Sequence, residues 1–141
     1  MIVADTGAIV ALVDADDRHH AALRRLFEKA PDAWVLPWAI LPELDYLLGA
    51  HVGTRAQERF VGDLASGAWA VEWGDPGDLV RAEELARRHR GLRLGLVDAV
   101  VMATAERRKA DAIATLDLRH FGAVALRGRP GLLPRDLDEK A

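Results

Sequence analysis

The sequence predicts an α/β fold, a three-layer α/β/α sandwich with a central parallel sheet of four to five short strands. Two observations support this prediction, the continuity of the short apolar runs and their alternation with helical segments. Short, continuously apolar runs alternate along the chain with longer segments in which apolar residues recur at helical spacing. Continuous apolar runs are typical of strands that helices cover on both faces of a parallel sheet. The 141 residues can bury one core, so we expect a single domain over residues 1–141.

Two strands and three helices are predicted in the first half of the chain. They are a strand at residues 2–5, a helix from Asp16 or Asp17 to about Lys29, a strand at Val35-Leu36, a helix from Pro37 or Trp38 to near Gly53, and a helix from Thr54 to about Ser66. An Asp at a helix start accepts hydrogen bonds from first-turn N–H groups. Thr54 and Gln57 have the types and spacing of a capping box. Pro42 lies in the first turns of its helix, where a missing N–H is tolerated.

Three more strands, two helices and a tail are predicted in the second half. They are a strand from Trp69 to Trp73, a helix capped by Asp75-Pro76 and stopped by Gly91, a helix beginning near Val97, strands at 112–116 and Ala123–Leu126, and a partly mobile tail from about Arg127. Because Trp69 and Trp73 alternate with other residues, both are predicted to face the core. The helix near Val97 is apolar on nearly all sides for two turns, which predicts a central position.

Composition excludes several classes of protein. The chain has no cysteine, which rules out disulfides, thiolate catalysis and zinc–sulfur sites. No apolar run reaches the length of a membrane span, and no basic stretch followed by a hydrophobic segment opens the sequence. We therefore expect a cytoplasmic protein without a membrane partner. The formal charge of −3 argues weakly against a polyanionic partner.

The cations are nevertheless unevenly chosen, because sixteen are Arg and three are Lys. Arg residues cluster within residues 87–90, 107–109 and 127–129. A guanidinium group is well suited to binding phosphate. These clusters also lie on or beside predicted helix ends, so phosphate binding and a solvated surface both remain open for each of them.

Four acidic residues interrupt apolar sequence, where an unpaired carboxylate is costly. They are Asp5, Glu43, Asp98 and Asp117. In a parallel sheet between helices, the carboxyl ends of strands and the amino ends of helices share one edge. Asp5 and Asp117 follow predicted strands, whereas Glu43 and Asp98 lie in or near first helical turns. The pattern therefore predicts that the four side chains meet at one edge of the sheet.

Carboxylates grouped in this way repel one another unless a cation binds, and an all-oxygen ligand set favours Mg²⁺ or Mn²⁺. Each acid taken singly also has a structural alternative. Asp5 and Asp117 suit turns, and Glu43 and Asp98 suit the positive end of a helix dipole. Their shared edge favours the metal site. Asp45 is not expected to join it, because two residues turn a helical side chain by about 200° away from Glu43.

The residues around these acids resemble the PIN-domain family, specifically its VapC toxins. The resemblance covers nearly the whole chain and rests on Ile2-Val3-Ala4-Asp5-Thr6-Gly7-Ala8, Pro42-Glu43-Leu44, Leu96-Val97-Asp98-Ala99 and Ala114-Thr115-Leu116-Asp117-Leu118-Arg119-His120-Phe121. It implies a PIN-like fold, and it implies metal binding and catalysis by Asp5, Glu43, Asp98 and Asp117.

The same resemblance assigns supporting roles. It implies that Thr6 and Thr115 orient Asp5 and Asp117. Arg119 and His120 follow Asp117 on the same edge, where contact with RNA and local packing are both open.

The resemblance implies a Mg²⁺- or Mn²⁺-dependent endoribonuclease toxin of a type II toxin–antitoxin system, expected to cleave structured RNA (tRNA or rRNA) and to inhibit translation. The cation would activate water and oppose charge on the scissile phosphate, and the products would carry 5′-phosphate and 3′-hydroxyl ends. The implied partners are a VapB-type antitoxin, the RNA substrate and a second copy in a homodimer. An antitoxin would place a cation in the acid pocket and an apolar segment between helices 17–29 and 38–51, against residues that include Leu23 and Tyr46.

Two other hypotheses within the family stay open, a housekeeping PIN nuclease in RNA processing and a non-catalytic PIN domain that binds RNA or protein. Other α/β folds with acids on this edge fit less well. A receiver-like domain needs an acid pair after the first strand and a late Lys, whereas no Lys lies between Lys109 and Lys140. A haloacid-dehalogenase phosphatase needs an Asp where this chain has Gly7.

Overall fold

Five parallel strands form the central sheet of the computed structural model, which describes the backbone of residues 1–140 and the side chains of residues 1–137. The strands are β1 (Ile2–Ala4), β2 (Trp34–Pro37), β3 (Ala70–Glu72), β4 (Ala112–Ala114) and β5 (Gly131–Leu133). Their order across the sheet is β3-β2-β1-β4-β5. The chain thus extends the sheet from β1 through β2 to β3, then crosses to the other side of β1. The predicted parallel α/β architecture is confirmed.

Within the described backbone, seven α-helices connect or flank these strands. They are α1 (Thr6–Val13), α2 (His20–Lys29), α3 (Leu41–His51), α4 (Thr54–Ala65), α5 (Pro76–Arg88), α6 (Leu96–Arg107) and α7 (Leu118–Phe121). Because right-handed crossovers are the rule, the connections to β2 and β3 and the return connection to β4 place their helices on opposite faces of the sheet. None of the helices in the described part of the chain combines the length and apolar character needed to cross a bilayer.

The core lies on both sides of the three middle strands, β2, β1 and β4, which are the most enclosed. Val3, Ala4, Ile113 and Ala114 have no accessible surface, and α6 is buried continuously from Ala99 to Ala105. The predicted central position of this helix is confirmed. Because α6 is held in the core, Asp98 in its first turn has a fixed position near the carboxyl ends of the central strands.

The sequence-based prediction missed α1 and misplaced the fifth strand. Helix α1 is almost entirely apolar, so its sequence has no helical periodicity to detect. The fifth strand lies at Gly131–Leu133, not at Ala123–Leu126, because Gly131 and Leu132 align with Ala112 and Ile113 of β4. Val124 and Leu126 bury their side chains without strand pairing, which explains the misleading alternation of apolar residues. Part of the expected tail from Arg127 thus belongs to the sheet.

Helix capping agrees with prediction at one position and differs at others. Asp75 forms a capping box with Asp78 at the start of α5, which confirms the predicted cap. The capping box predicted at Thr54 is wrong, because Gly53 caps α4 with φ of 131°, a conformation that favours glycine. Gln57 instead donates a hydrogen bond to Asp45 of α3 at 3.1 Å. Helix α2 begins at His20, later than the predicted Asp16 or Asp17.

Two predictions about apolar side chains are also wrong. Trp73 is predicted to face the core, but it is 74% exposed. Strand β3 ends at Glu72, so the inward–outward alternation of the strand does not extend to Trp73. Trp69 packs partly buried against Phe27 and Phe60. Leu23 lies in the core without accessible surface, so it cannot line the groove expected between α2 and α3, whereas Tyr46 is 71% exposed.

An ion-pair network joins α5 to the carboxyl end of α6. Arg107 donates to Asp78 at 2.7 Å and to Glu72 at 2.8 Å, and Arg81 donates to Glu106 at 2.7 Å. The hydrogen bonds to Asp78 are the largest influence that raises the pKa of Arg107. Arg108 also pairs with Glu72. Arg107 and Arg108 therefore serve the fold, and phosphate binding is not needed to explain them.

Candidate metal centre

Asp5 and Asp117 lie at the carboxyl ends of two neighbouring strands. Asp5 follows β1 directly, and Asp117 follows β4 after Thr115 and Leu116. The order of the strands makes β1 and β4 neighbours at the point where the direction of sheet growth reverses. Connections on the two sides of this point leave on opposite faces, which opens a crevice beyond the strand ends. The two acids therefore stand where open α/β sheets bind ligands.

Glu43 and Asp98 enter the same region from helices. Each is the third residue of its helix, Glu43 in α3 and Asp98 in α6. The first turn of a helix carries partial positive charge, which favours a carboxylate there. Asp98 is partly buried, whereas Glu43 is exposed at the margin of the group. Glu43 and Asp98 are close enough for the charge of Glu43 to affect the ionisation of Asp98.

Thr115 connects the two strand-end acids. Its hydroxyl donates to Asp5 Oδ2 at 3.0 Å and accepts a hydrogen bond from the backbone N–H of Asp117, also at 3.0 Å. One buried hydroxyl thus holds Asp5 and positions the backbone of Asp117. The Thr6 hydroxyl is buried and has no hydrogen-bond partner among the described residues. Its backbone N–H instead favours the ionised form of Asp5.

His120 connects Asp117 to the segment before α6. Its Nδ1 lies 2.6 Å from Asp117 Oδ2 and 3.4 Å from Asp98 Oδ2. Its Nε2 lies 2.8 Å from the carbonyl oxygen of Leu92 and donates to it, since a carbonyl only accepts. The hydrogen bond to Asp117 is the main influence that raises the pKa of His120. Both ring nitrogens are therefore engaged within the protein.

The acids destabilise one another's charges. Burial is the main cause that raises the pKa of Asp5 to about 6, and the charges of Asp98 and Asp117 raise it further. Burial also raises the pKa of Asp98, and the charge of Asp117 adds to this effect. His120 acts in the opposite direction on Asp98. These couplings link all four predicted acids into one electrostatic group with an excess of negative charge.

Two acids of this group, together with His120, stand close enough for one divalent cation, whereas Asp5 and Glu43 lie outside this cluster among the described residues. One ligand atom each from Asp98, Asp117 and His120 lie within 4.8 Å of one another. Carboxylate oxygens are the preferred ligands of Mg²⁺ and Mn²⁺, and a bound dication would offset the repulsion that raises the pKa values of Asp5 and Asp98. The residues present therefore fit such a metal. Asp45 instead accepts the hydrogen bond from Gln57 of α4.

Sequence reasoning missed the bridging position of His120. The residue was a candidate for RNA contact because it follows Asp117, but no sequence pattern indicates that its ring reaches the Leu92 carbonyl 28 residues away. The spacing of three residues from Asp117 does predict a neighbour on one helical turn. Arg119, the other candidate for RNA contact, lies two residues after Asp117, and its side chain is exposed.

The fold and this arrangement of acids define a class of protein. The PIN domain family model matches residues 2–126, and the chain belongs to the PIN domain family. Ribonuclease VapC26 of Mycobacterium tuberculosis (strain ATCC 25618 / H37Rv) is 32% identical over 123 residues, which cover 87% of this chain and 91% of that protein. The resemblance to VapC toxins seen in the sequence is thus confirmed.

Solved structures agree with this classification. The crystal structure of VapC20 of Mycobacterium tuberculosis, described as a Sarcin-Ricin loop cleaving toxin, has a TM-score of 0.79 at 26% identity and covers 92% of this chain and all of that chain. VapBC2 from Rickettsia felis, bound to a promoter DNA fragment, has a TM-score of 0.68 at 16% identity, and the match covers 94% of this chain and 97% of that chain. FitAcB from Neisseria gonorrhoeae has a TM-score of 0.64 at 16% identity, and the match covers 94% of this chain and 96% of that chain. The last two show likeness of fold.

Proposed function

We propose that this protein is a Mg²⁺- or Mn²⁺-dependent endoribonuclease toxin that cleaves structured RNA, tRNA or rRNA, and so inhibits translation. The observation that carries the proposal is the electrostatic group formed by Asp5, Glu43, Asp98 and Asp117 at the strand-order reversal. Membership in the PIN domain family and similarity to proteins named as ribonuclease and Sarcin-Ricin loop cleaving toxin support it.

The four acids would hold the metal, and each has a support that suits this role. Thr115 orients Asp5, His120 orients Asp117, and helix amino ends favour the charges of Glu43 and Asp98. A bound dication would lower the pKa of a water molecule and would offset the negative charge that develops on the scissile phosphate. The carboxylates would also accept the proton that the attacking water gives up. The reaction requires no nucleophilic side chain.

A VapB-type antitoxin is the proposed partner. The structurally similar VapBC2 and FitAcB support such an assembly. An acid group with raised pKa values for Asp5 and Asp98 favours any cation, so an antitoxin guanidinium could compete there with the metal. We also propose a homodimer, and a cytoplasmic location because tRNA and rRNA lie there. The exposed Tyr46 remains available for a protein contact.

Purified protein incubated with total bacterial RNA tests the enzymatic part of the proposal. We expect cleavage with Mg²⁺ or Mn²⁺, no cleavage with EDTA, and 5′-phosphate ends on mapped products. Induction in cells should arrest growth, and coexpression of the protein encoded next to it should restore growth. Undiminished cleavage in EDTA would contradict the metal mechanism. RNA binding without cleavage under every metal condition would instead favour a non-catalytic PIN domain.

A further inference from the structure

A short basic segment lies directly beside the candidate metal centre. We define the arginine loop as residues 89–93, which follow α5 and contain Arg90 and Arg93. The carbonyl of Leu92 in this loop accepts the hydrogen bond from His120, whose other ring nitrogen contacts Asp117. A single imidazole ring thus separates the arginine loop from a proposed metal ligand.

Helix packing agrees with this placement. At the amino end of α5, Asp78 pairs with Arg107 at the carboxyl end of α6. The two helices therefore run in opposite directions, and the carboxyl end of α5 lies beside the first turn of α6. That first turn holds Asp98. The arginine loop and the acids accordingly share one end of the helix pair.

The guanidinium groups of the loop have no structural use that the fold reveals. Arg90 and Arg93 are exposed, and within the part of the chain that the structure describes neither forms an ion pair or a side-chain hydrogen bond. This distinguishes them from Arg107 and Arg108, which the acids of α5 and β3 hold. It also distinguishes them from Arg87 in the last turn of α5, where a cation stabilises the helix dipole.

Arg93 moreover has a left-handed backbone conformation with φ of 53°. Glycine adopts this conformation without steric cost, whereas other residues incur strain. The backbone geometry therefore gives no reason for an arginine at this position. A function of the side chain would account for it.

The charge of the metal centre creates a need for cations close by. Four ionised carboxylates carry twice the charge of one divalent cation, so the centre stays negative after one metal binds and repels an approaching phosphodiester. The whole chain adds to this repulsion with a formal charge of −3. Unpaired arginines next to the acids would hold the backbone of a polyanion where the centre alone would reject it.

We propose that Arg90 and Arg93 bind the RNA phosphates that flank the cleaved bond, and that His120 positions this loop relative to the metal centre. The inference rests on the proposed ribonuclease function and assigns its substrate-binding element. Contacts of this kind act on the phosphate backbone, so they raise affinity for RNA of any sequence. Arg119 follows Asp117 and would extend the same surface.

The variant Arg90→Gln/Arg93→Gln tests the inference against a matched control, Arg55→Gln/Arg59→Gln. Arg55 and Arg59 are also exposed, but they line a groove with Val13 and Val52 at the ends of α1 and α3. Asp5 and Glu43 lie at the opposite ends of these two helices. The two double variants therefore remove equal charge near the acids and far from them.

Binding of a fluorescein-labelled stem-loop RNA is measured by anisotropy in EDTA over a range of NaCl concentrations, and cleavage of it is measured in Mg²⁺. We expect Arg90→Gln/Arg93→Gln to raise Kd and KM about 10-fold, with kcat within about 3-fold of wild type. The slope of log Kd against log salt should fall by between about one and two, as for two lost phosphate contacts. The control should keep the wild-type Kd and slope.

Several outcomes would overturn the inference. Unchanged Kd and salt slope in Arg90→Gln/Arg93→Gln would overturn it while leaving the ribonuclease function intact, as would equal losses in both double variants. If the wild type neither binds nor cleaves RNA, the proposed function fails, and the inference fails with it. Arg93→Gly provides a check on folding, because glycine suits the left-handed backbone. It should weaken RNA binding without lowering the midpoint of thermal unfolding.

Discussion

Replacement of Asp5 by asparagine should stabilise the metal-free protein and abolish its cleavage activity. Asp5 is 6% exposed, and its carboxylate accepts the Thr115 hydrogen bond and lies within reach of the charge of Asp98. Asparagine keeps nearly the same shape and a carbonyl oxygen for the Thr115 hydroxyl, but it carries no charge at any pH. The substitution therefore removes the electrostatic cost of the site with little change in packing.

The size of the effect follows from the pKa of Asp5, which burial and then the charge of Asp98 raise from 3.8 to about 6. Between these values the folded protein binds a proton that the unfolded chain does not, so the free energy of unfolding decreases as the pH rises from about 4 to 6. The loss is complete above pH 6. A shift of about two pKa units corresponds to about 3 kcal/mol at neutral pH.

Urea unfolding followed by tryptophan fluorescence, in EDTA at pH 4.5 and pH 7.5, measures this effect. We expect Asp5→Asn to raise the free energy of unfolding at pH 7.5 by about 1–3 kcal/mol and to reduce the pH dependence between 4 and 6. Some pH dependence should remain, because burial also raises the pKa of Asp98. Added Mg²⁺ should stabilise the wild type more than the variant, since a ligand that binds the folded state raises its stability.

Asp45→Asn is the matched control, because Asp45 lies outside the acid group and an asparagine oxygen can still accept the Gln57 hydrogen bond. It should shift the free energy of unfolding by less than about 0.5 kcal/mol at either pH. The reasoning is refuted if wild-type stability is the same at pH 4.5 and 7.5, or if Asp5→Asn is less stable than the wild type at pH 7.5.

Three further outcomes are expected. Asp98→Asn should lower kcat/KM for RNA by about 100-fold or more, whereas Asp45→Asn should stay within about 3-fold; equal loss in both variants would contradict the choice of acids. Arg107→Gln leaves Asp78, which is 3% exposed, without its cation, so the free energy of unfolding in urea should fall by about 2–3 kcal/mol while kcat stays unchanged. A larger loss is not expected, because Arg107 is one-third exposed and solvent screens the ion pair. Light scattering at micromolar concentration should give about twice the 15.4 kDa chain mass, and a monomer mass would refute a stable dimer.

Much of the fold could be predicted because its evidence is local. The apolar runs of β1, β2 and β4 are visible in the sequence, and so are the first turns of α6, which are apolar except for Asp98. Asp75 is a cap residue followed by proline, and it caps α5 as predicted. Each of these features depends on residues within a few positions of one another, so tertiary contacts had little to change.

The failed predictions lie where local patterns are ambiguous. Helix α1 has no polar face, so its eight residues resemble a buried strand as much as a helix. Ala123–Leu126 and Gly131–Leu133 are both short apolar segments, and only the pairing partner of β4 distinguishes them. Trp73 continues the alternation of Trp69, but the pairing of β3 with β2 ends at Glu72.

Four acids stand out in the sequence alone, because Asp5, Glu43, Asp98 and Asp117 each interrupt apolar residues where carboxylates are rare. How these side chains meet depends on tertiary contacts. The strand order places β1 beside β4, although about 110 residues separate them, and so brings Asp5 and Asp117 to one crevice. The hydrogen bond from His120 to Leu92 is likewise a long-range contact. Such contacts depend on how whole elements pack, and this packing leaves no pattern in neighbouring residues.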